Sequence, residues 1–385
     1  MPRLNPKALI SLAAVLAAIA GLSACSSGSS SAPTGSTPAA SESAAASAAS
    51  SAPAAQEDTR PIQLATWGGT TGKAFANTWG KSFTEAIGVE VDASPIMDYA
   101  AWSEQIKSGK PGWDWGDFEA YFPIGSPDLF LPLDKESLGV TADDMVDLGN
   151  PAANAAMFSE KSVGQYISSY VLLYDSKRHP EHPSGWAEVF DQQKWPGVVS
   201  LYNYPYGMLE VALFADGVTW DNMYPLDYER AFKKLDSLGD NLVFSNSGAE
   251  AQQQLASGAA DWVVHWNMRG LPLAQQGLPI AVDWKDNILI QSSHVIPANT
   301  DRPNLLTQYV ANALKIENQA AMANATATGP VVKGAFELID EDVKPWVATN
   351  PVNLAQSAGL IDDIWWAENF GAAYEQWNAW QASRG

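Results

Sequence analysis

Apolar positions in the folded part of this chain come in short runs, each followed by a stretch with helical spacing. Ile62 to Trp67 is a continuous run of strand length, and Lys73 to Ile87 has helical spacing that stops before Gly88. Val89 to Ala93 predicts a second strand, Ala100 to Ser108 a short helix closed by Gly109, and Asp117 to Tyr121 the end of a third strand. Further on, Val198 to Leu201, Asn241 to Phe244 and Trp262 to Trp266 predict strands; Met208 to Ala215 and Gly248 to Ser257 predict helices. Alternation of this kind predicts α/β lobes with largely parallel sheets. Ligands in such sheets sit beyond the carboxyl ends of strands.

The N-terminus follows a different pattern. Arg3 and Lys7 precede an apolar run from Ala8 to Ala20, then Leu22-Ser23-Ala24-Cys25. A basic head, a short apolar stretch and small residues predict a secretory signal over 1–24. A membrane span would need about 20 apolar residues. Leu-Ser-Ala-Cys resembles the bacterial lipobox, which makes Cys25, the chain's only cysteine, the expected lipidation site. Acyl chains there would hold the protein on the outer face of a membrane. Residues 25–57 are almost all Ser, Ala, Gly, Pro and Thr, a composition too poor in large apolar groups to offset chain entropy. The segment is expected to be a flexible tether averaging roughly 30 Å end to end.

The remaining length, about 330 residues, suits two lobes rather than one core. With 43 acidic and 22 basic residues the surface is anionic, which argues against nucleic acid as a partner.

Candidate chemistry gathers where strands end. In Trp67-Gly68-Gly69-Thr70-Thr71-Gly72 the glycines let backbone approach a ligand, and free N–H groups at the helix start can hold an anion. An ordinary strand-to-helix turn with Thr as N-cap is the alternative. Ser245-Asn246-Ser247-Gly248 opens a later helix in the same two ways. Glu119 beside Tyr121 suits an ammonium group, and Trp266-Asn267-Met268-Arg269 ends another strand. Of the four histidines, His179 and His182 lie in a Pro-rich turn and are expected to be solvated, and His265 to be packed. Tyr202, Tyr204 and Tyr206 alternate along an extended segment, a spacing open to a ferric-ion reading that Pro205 interrupts. G-x-S-x-G, H-E-x-x-H, Walker A and G-x-G-x-x-G are all absent, so an enzyme is not expected.

Several segments in order carry a family resemblance: Ala65-Thr66-Trp67-Gly68-Gly69, Trp186 to Gly197, Ala256-Ser257-Gly258 to Asn267, Pro279 to Trp284, Val295-Ile296-Pro297, Thr328-Gly329-Pro330 and Trp365-Trp366-Ala367-Glu368-Asn369. Together they resemble the spermidine/putrescine-type solute-binding proteins of ABC importers. The resemblance implies an α/β, two-lobed type II periplasmic-binding-protein fold with two crossing hinge strands, near Tyr166 to Tyr174 and Ile288 to Ile296. Lobe 1 would comprise 58–168 with 295–385, and lobe 2 169–294. The family's first-strand tryptophan matches Trp67, its residues after the third strand fall on Glu119 and Tyr121, and its second-lobe tryptophan matches Trp266. Where polyamine binders carry acids, this chain has Tyr204, Gly207 and Ser292.

The expected ligand-binding set is therefore Trp67, Gly68, Gly69, Thr70, Glu119, Tyr121, Tyr204, Trp266, Asn267, Arg269 and Ser292, with no cofactor and no metal. Glu119 is the single acid the reading makes available, too few for an enclosed diamine, because an unpaired buried ammonium costs several kcal/mol. Arg269, facing the cleft, would repel a polycation and attract a carboxylate. The expected protein is a monomeric, membrane-anchored receptor that hands a polyamine-like or zwitterionic amine to an ABC permease. A ferric-ion or sugar receptor of the same fold, or a surface hydrolase, are the alternatives.

Overall fold

The computed structural model describes residues 58–94, 97–110 and 112–384. The leader, Cys25 and the tether lie outside the described residues. The described chain belongs to one compact unit, Glu57–Gly385. No helix in it is long and apolar enough to cross a membrane.

Strands β1 (Ile62–Ala65), β2 (Val91–Ser94) and β3 (Trp115–Gly116) form a parallel sheet in the order β2–β1–β3. The helix after β1 starts four residues earlier than its spacing predicts. It runs Gly69–Phe75, passes through π-turns over Ala76–Gly80, and resumes over Lys81–Ile87 before Gly88 stops it in the left-handed conformation. Its N-cap is Gly68 at φ 73°, not a threonine. The positive φ of Gly68 favours glycine, so the turn depends on this residue.

Two short strands follow, β4 (Phe118–Glu119) and β5 (Phe130–Leu131). The larger sheet is built on β6 (Ser162–Asp175), β7 (Val199–Tyr202), β8 (Leu242–Ser245), β9 (Trp262–Trp266), β10 (Ile280–Pro297) and β11 (Ser357–Leu360). Its order is β11–β10–β6–β9–β7–β8, with β4 and β5 pairing along β10. The antiparallel pair β6–β10 is the backbone of the molecule, pairing from Ile280↔Asp175 to Val295↔Ser162 with register shifts between Asp283 and Ile288 and between Ser292 and Ser293. Almost every residue of β6 is buried, as expected of a strand covered on both faces. These two strands cross from the β1–β3 side to the β7–β9 side, at the places the resemblance implies and several residues longer.

Large aromatics fill the core on both sides: Trp79, Trp102 and Trp115 near the first sheet, Trp186 and Trp262 near the second. The C-terminal helix Asp363–Ser383 packs on both. Phe370 stacks on Tyr121 at 4.9 Å, while Trp380 stacks on Phe232 at 5.0 Å.

Candidate functional site

The floor of the site is the middle of the crossing pair. Period-two alternation sends Tyr166 and Ser168 of β6 to the same side as Ile290 and Ser292 of β10. The register sets Tyr166 opposite Ser292 and Ser168 opposite Ile290. Over this floor, Trp67, Gly68 and Thr71 arrive from the turn after β1, Asp117 and Glu119 from either side of Phe118, and Trp266, Met268 and Arg269 from the end of β9. Together they close around a space of only about 10 Å³, so a small molecule enters only where these walls part.

Polar groups in this cavity are buried without full partners. Arg269 is 2 % exposed and has no carboxylate within ion-pair distance among the described residues. Its guanidinium lies over the Trp266 ring at 5.0 Å and donates one long bond, 3.4 Å, to Thr71 Oγ1. Its Nε has no acceptor. Burial lowers its pKa, while Tyr166, Tyr202 and Asp117 act in the opposite sense. Gly248 makes room for it: a Cβ there would overlap the guanidinium. The Ser247 side chain caps that helix by accepting from the Glu250 N–H at 3.1 Å, so the Ser245–Gly248 turn is an ordinary cap that leaves space for Arg269.

Glu119 is 6 % exposed, and its Oε2 has no hydrogen-bond partner. Burial, with the nearby Asp363 adding to it, pushes its carboxyl up to about 8. Asp117 is a second buried acid, which the sequence reading missed. It accepts from Tyr166 Oη at 2.9 Å and Gln165 Nε2 at 3.3 Å, and burial pushes it up to about 7. The Trp67 indole N–H donates to the Asp117 carbonyl at 2.9 Å, which fixes the tryptophan at the rim.

Of the expected residues, Trp67, Gly68, Glu119, Trp266, Arg269 and Ser292 line the cavity. Gly69 and Thr70 are exposed outside it, because the helix begins at Gly69 and turns Thr71 inward instead. Tyr121 and Tyr204 share a hydroxyl hydrogen bond of 2.7 Å in an adjoining aromatic cluster with Phe370. Asn267 is committed to backbone: its Oδ1 accepts from Ser169 N–H at 2.9 Å, and its Nδ2 donates to the carbonyls of Ala327 and Trp346 at 2.9 and 2.8 Å. Thr71, Asp117, Tyr166, Ser168, Met268 and Ile290 complete the lining.

The histidines also depart from expectation. His179 is half-buried, bonded to Asp261 at 3.0 Å and packed on Trp262, and His182 stacks on Tyr174 at 4.3 Å. Both are partly exposed, with one face of each ring covered by an aromatic side chain. His265 is packed as expected. The three alternating tyrosines do not converge: Tyr204 bonds Tyr121, and Tyr206 donates to Asp363 at 2.7 Å. No cluster of three His, Cys, Asp or Glu suited to a metal ion occurs among the described residues.

Two strand groups joined by a crossing pair, with an enclosed polar cavity over the crossing, define a solute-capturing protein of the type II periplasmic-binding fold. A family model, bacterial extracellular solute-binding protein, matches residues 78–353, and the chain belongs to that family. It is similar to a γ-aminobutyric acid-binding protein of Pseudomonas aeruginosa, 29% identical over 339 residues, 86% of this chain and 93% of that one. Among solved structures, a GABA receptor aligns at TM-score 0.74 and 29% identity, covering 83% of this chain and 97% of its own. An ABC transporter substrate-binding protein from Bradyrhizobium japonicum aligns at TM-score 0.74 and 28% identity, covering 83% and 99%. The protein is thus an extracytoplasmic ABC-type solute-binding protein for a small polar ligand, and not an enzyme.

Proposed function

We propose that the cavity takes a small zwitterion whose amine and carboxylate are separated by an apolar stem, of the γ-aminobutyrate kind. One observation carries this reading: a buried arginine and a buried glutamate, each with an unanswered polar atom, line the same cavity. Arg269 would receive the carboxylate through its planar fork. Glu119, with Asp117 beyond Phe118, would receive the ammonium, and the Trp67 and Trp266 faces would flank the stem. The names of two relatives at 29% identity support the same class. A polyamine fits poorly, since its second ammonium would be buried beside the Arg269 guanidinium, with Asp117 the one further acid to oppose both charges.

Binding would draw together 58–168 with 295–385 on one side and 169–294 on the other, hinged on β6 and β10. Cys25 would anchor the protein beside its permease; Cys25→Ser should release it from the membrane fraction, and retention would discard the anchor. The main test is a thermal-shift panel. γ-Aminobutyrate should raise the melting temperature, by mass action worth about 2.7 kcal/mol at a hundredfold excess over Kd. Putrescine at the same concentration should not. An equal or larger shift with putrescine would overturn the reading.

A further inference from the structure

Between Ile290 and Ser292, which face the ligand cavity, Gln291 points to the reverse of the sheet. Its cross-strand neighbour there is Ile167. Gln291 is wholly buried, yet neither its Oε1 nor its Nε2 has a partner. Its backbone is committed: the Gln291 carbonyl accepts from the Ala120 N–H at 2.9 Å. An unanswered buried amide is destabilising, so a carboxamide in this position calls for a partner.

Gln291 is among the residues that line a second cavity of about 250 Å³, larger than the first and distinct from it. Leu360, Ile361 and Trp220 give it apolar walls, and Asp363 stands on one side. Two other polar groups there are already engaged. Asp363 accepts from Tyr206 Oη at 2.7 Å. The Tyr224 hydroxyl donates to Glu210 at 2.8 Å and accepts from the Asp362 N–H at 3.1 Å. The open donor–acceptor pair is that of Gln291.

We propose that the reverse face of β10 carries a second small-molecule site, taking a neutral amide or lactam with an apolar body. An amide presents N–H and C=O side by side and so answers both atoms of the Gln291 carboxamide at once. A carboxylate would meet Asp362 and Asp363. A cation would answer those acids but leave the carboxamide nitrogen without an acceptor. The apolar walls take the rest of the ligand.

ε-Caprolactam serves as the probe, titrated into the full chain by calorimetry. Saturable binding is expected, weakened tenfold or more in Gln291→Leu, which removes the amide at similar volume. Ala156→Phe should weaken it as much by filling the cavity from its half-buried rim without touching Gln291; it keeps the test decisive if Gln291→Leu does not fold. No saturation up to millimolar probe would overturn the proposal. So would binding that survives both substitutions but is lost in Arg269→Met, which would put the lactam in the other cavity.

Discussion

Two buried arginines on this fold are held in opposite ways. Arg302 clasps Asp114 through Nε at 3.0 Å and Nη2 at 2.5 Å, and donates from Nη1 and Nη2 to the carbonyls of Arg60 and Pro61 at 2.6 and 2.7 Å. Arg269 has one long bond to a threonine and an aromatic face beneath it. Buried acids divide the same way. Glu210 accepts from Trp366 Nε1 at 2.6 Å, Tyr224 Oη at 2.8 Å and the Gly207 N–H at 2.9 Å, whereas Glu119 keeps an oxygen with no donor. Burial pushes both acids up, Glu210 to about 7 and Glu119 to about 8. Burial and a shifted pKa are therefore common to both kinds of group; on the proposed reading, what sets Arg269 and Glu119 apart is unmet hydrogen-bonding capacity inside the cavity.

Substituting the two arginines breaks this comparison most directly. Arg302→Met strands Asp114 and should cost about 3–5 kcal/mol of stability in urea unfolding. Arg269→Met strands no ion-paired acid; the midpoint should hold or rise while zwitterion binding falls a hundredfold or more. Equal losses of stability would erase the distinction.

Glu119→Gln keeps shape and removes charge, so it should weaken an ammonium ligand by about 2–5 kcal/mol. Trp266→Ala should cost about 2 kcal/mol through lost contact area. With a neutral ligand the glutamate change would have little effect and the tryptophan change would still weaken binding.

The same acids make the comparison depend on pH. Glu119 is raised from 4.5 to about 8 and Asp117 from 3.8 to about 7, so the fold holds these protons more tightly than the unfolded chain does. Their contribution to stability is present at low pH and is lost as pH rises from about 4 to about 8. An ammonium ligand favours the ionised acids; its affinity should rise over that window, with protons released on binding. Binding heats that do not vary with buffer ionisation enthalpy would contradict this.

The legibility of the sequence tracked how local each signal was. The helix Gly248–Ser257 and strand β9 were readable to the residue, because Ser247 caps, Gly258 stops and an apolar run follows. Glu119 and Arg269 stood out as charges at strand ends. Asp117 was missed as part of a strand, although its period-two spacing from Glu119 puts both on one side. Tyr166 and Ser168 lay within the expected crossing, but only the register with β10 shows which residues face the floor. Tyr121 and Tyr204 looked like cavity walls; their hydroxyl pairing depends on an approach of distant segments that spacing does not encode.

The most direct test is calorimetric titration of the parent protein with γ-aminobutyrate, n-butylamine and butyrate. These share one stem and differ only in which charged ends they carry. Arg269 and Glu119 acting at opposite ends of one ligand predict that either half binds at least a hundredfold more weakly than the zwitterion, about 2.7 kcal/mol per lost charge. Butylamine or butyrate binding as tightly as γ-aminobutyrate would contradict the two-ended site.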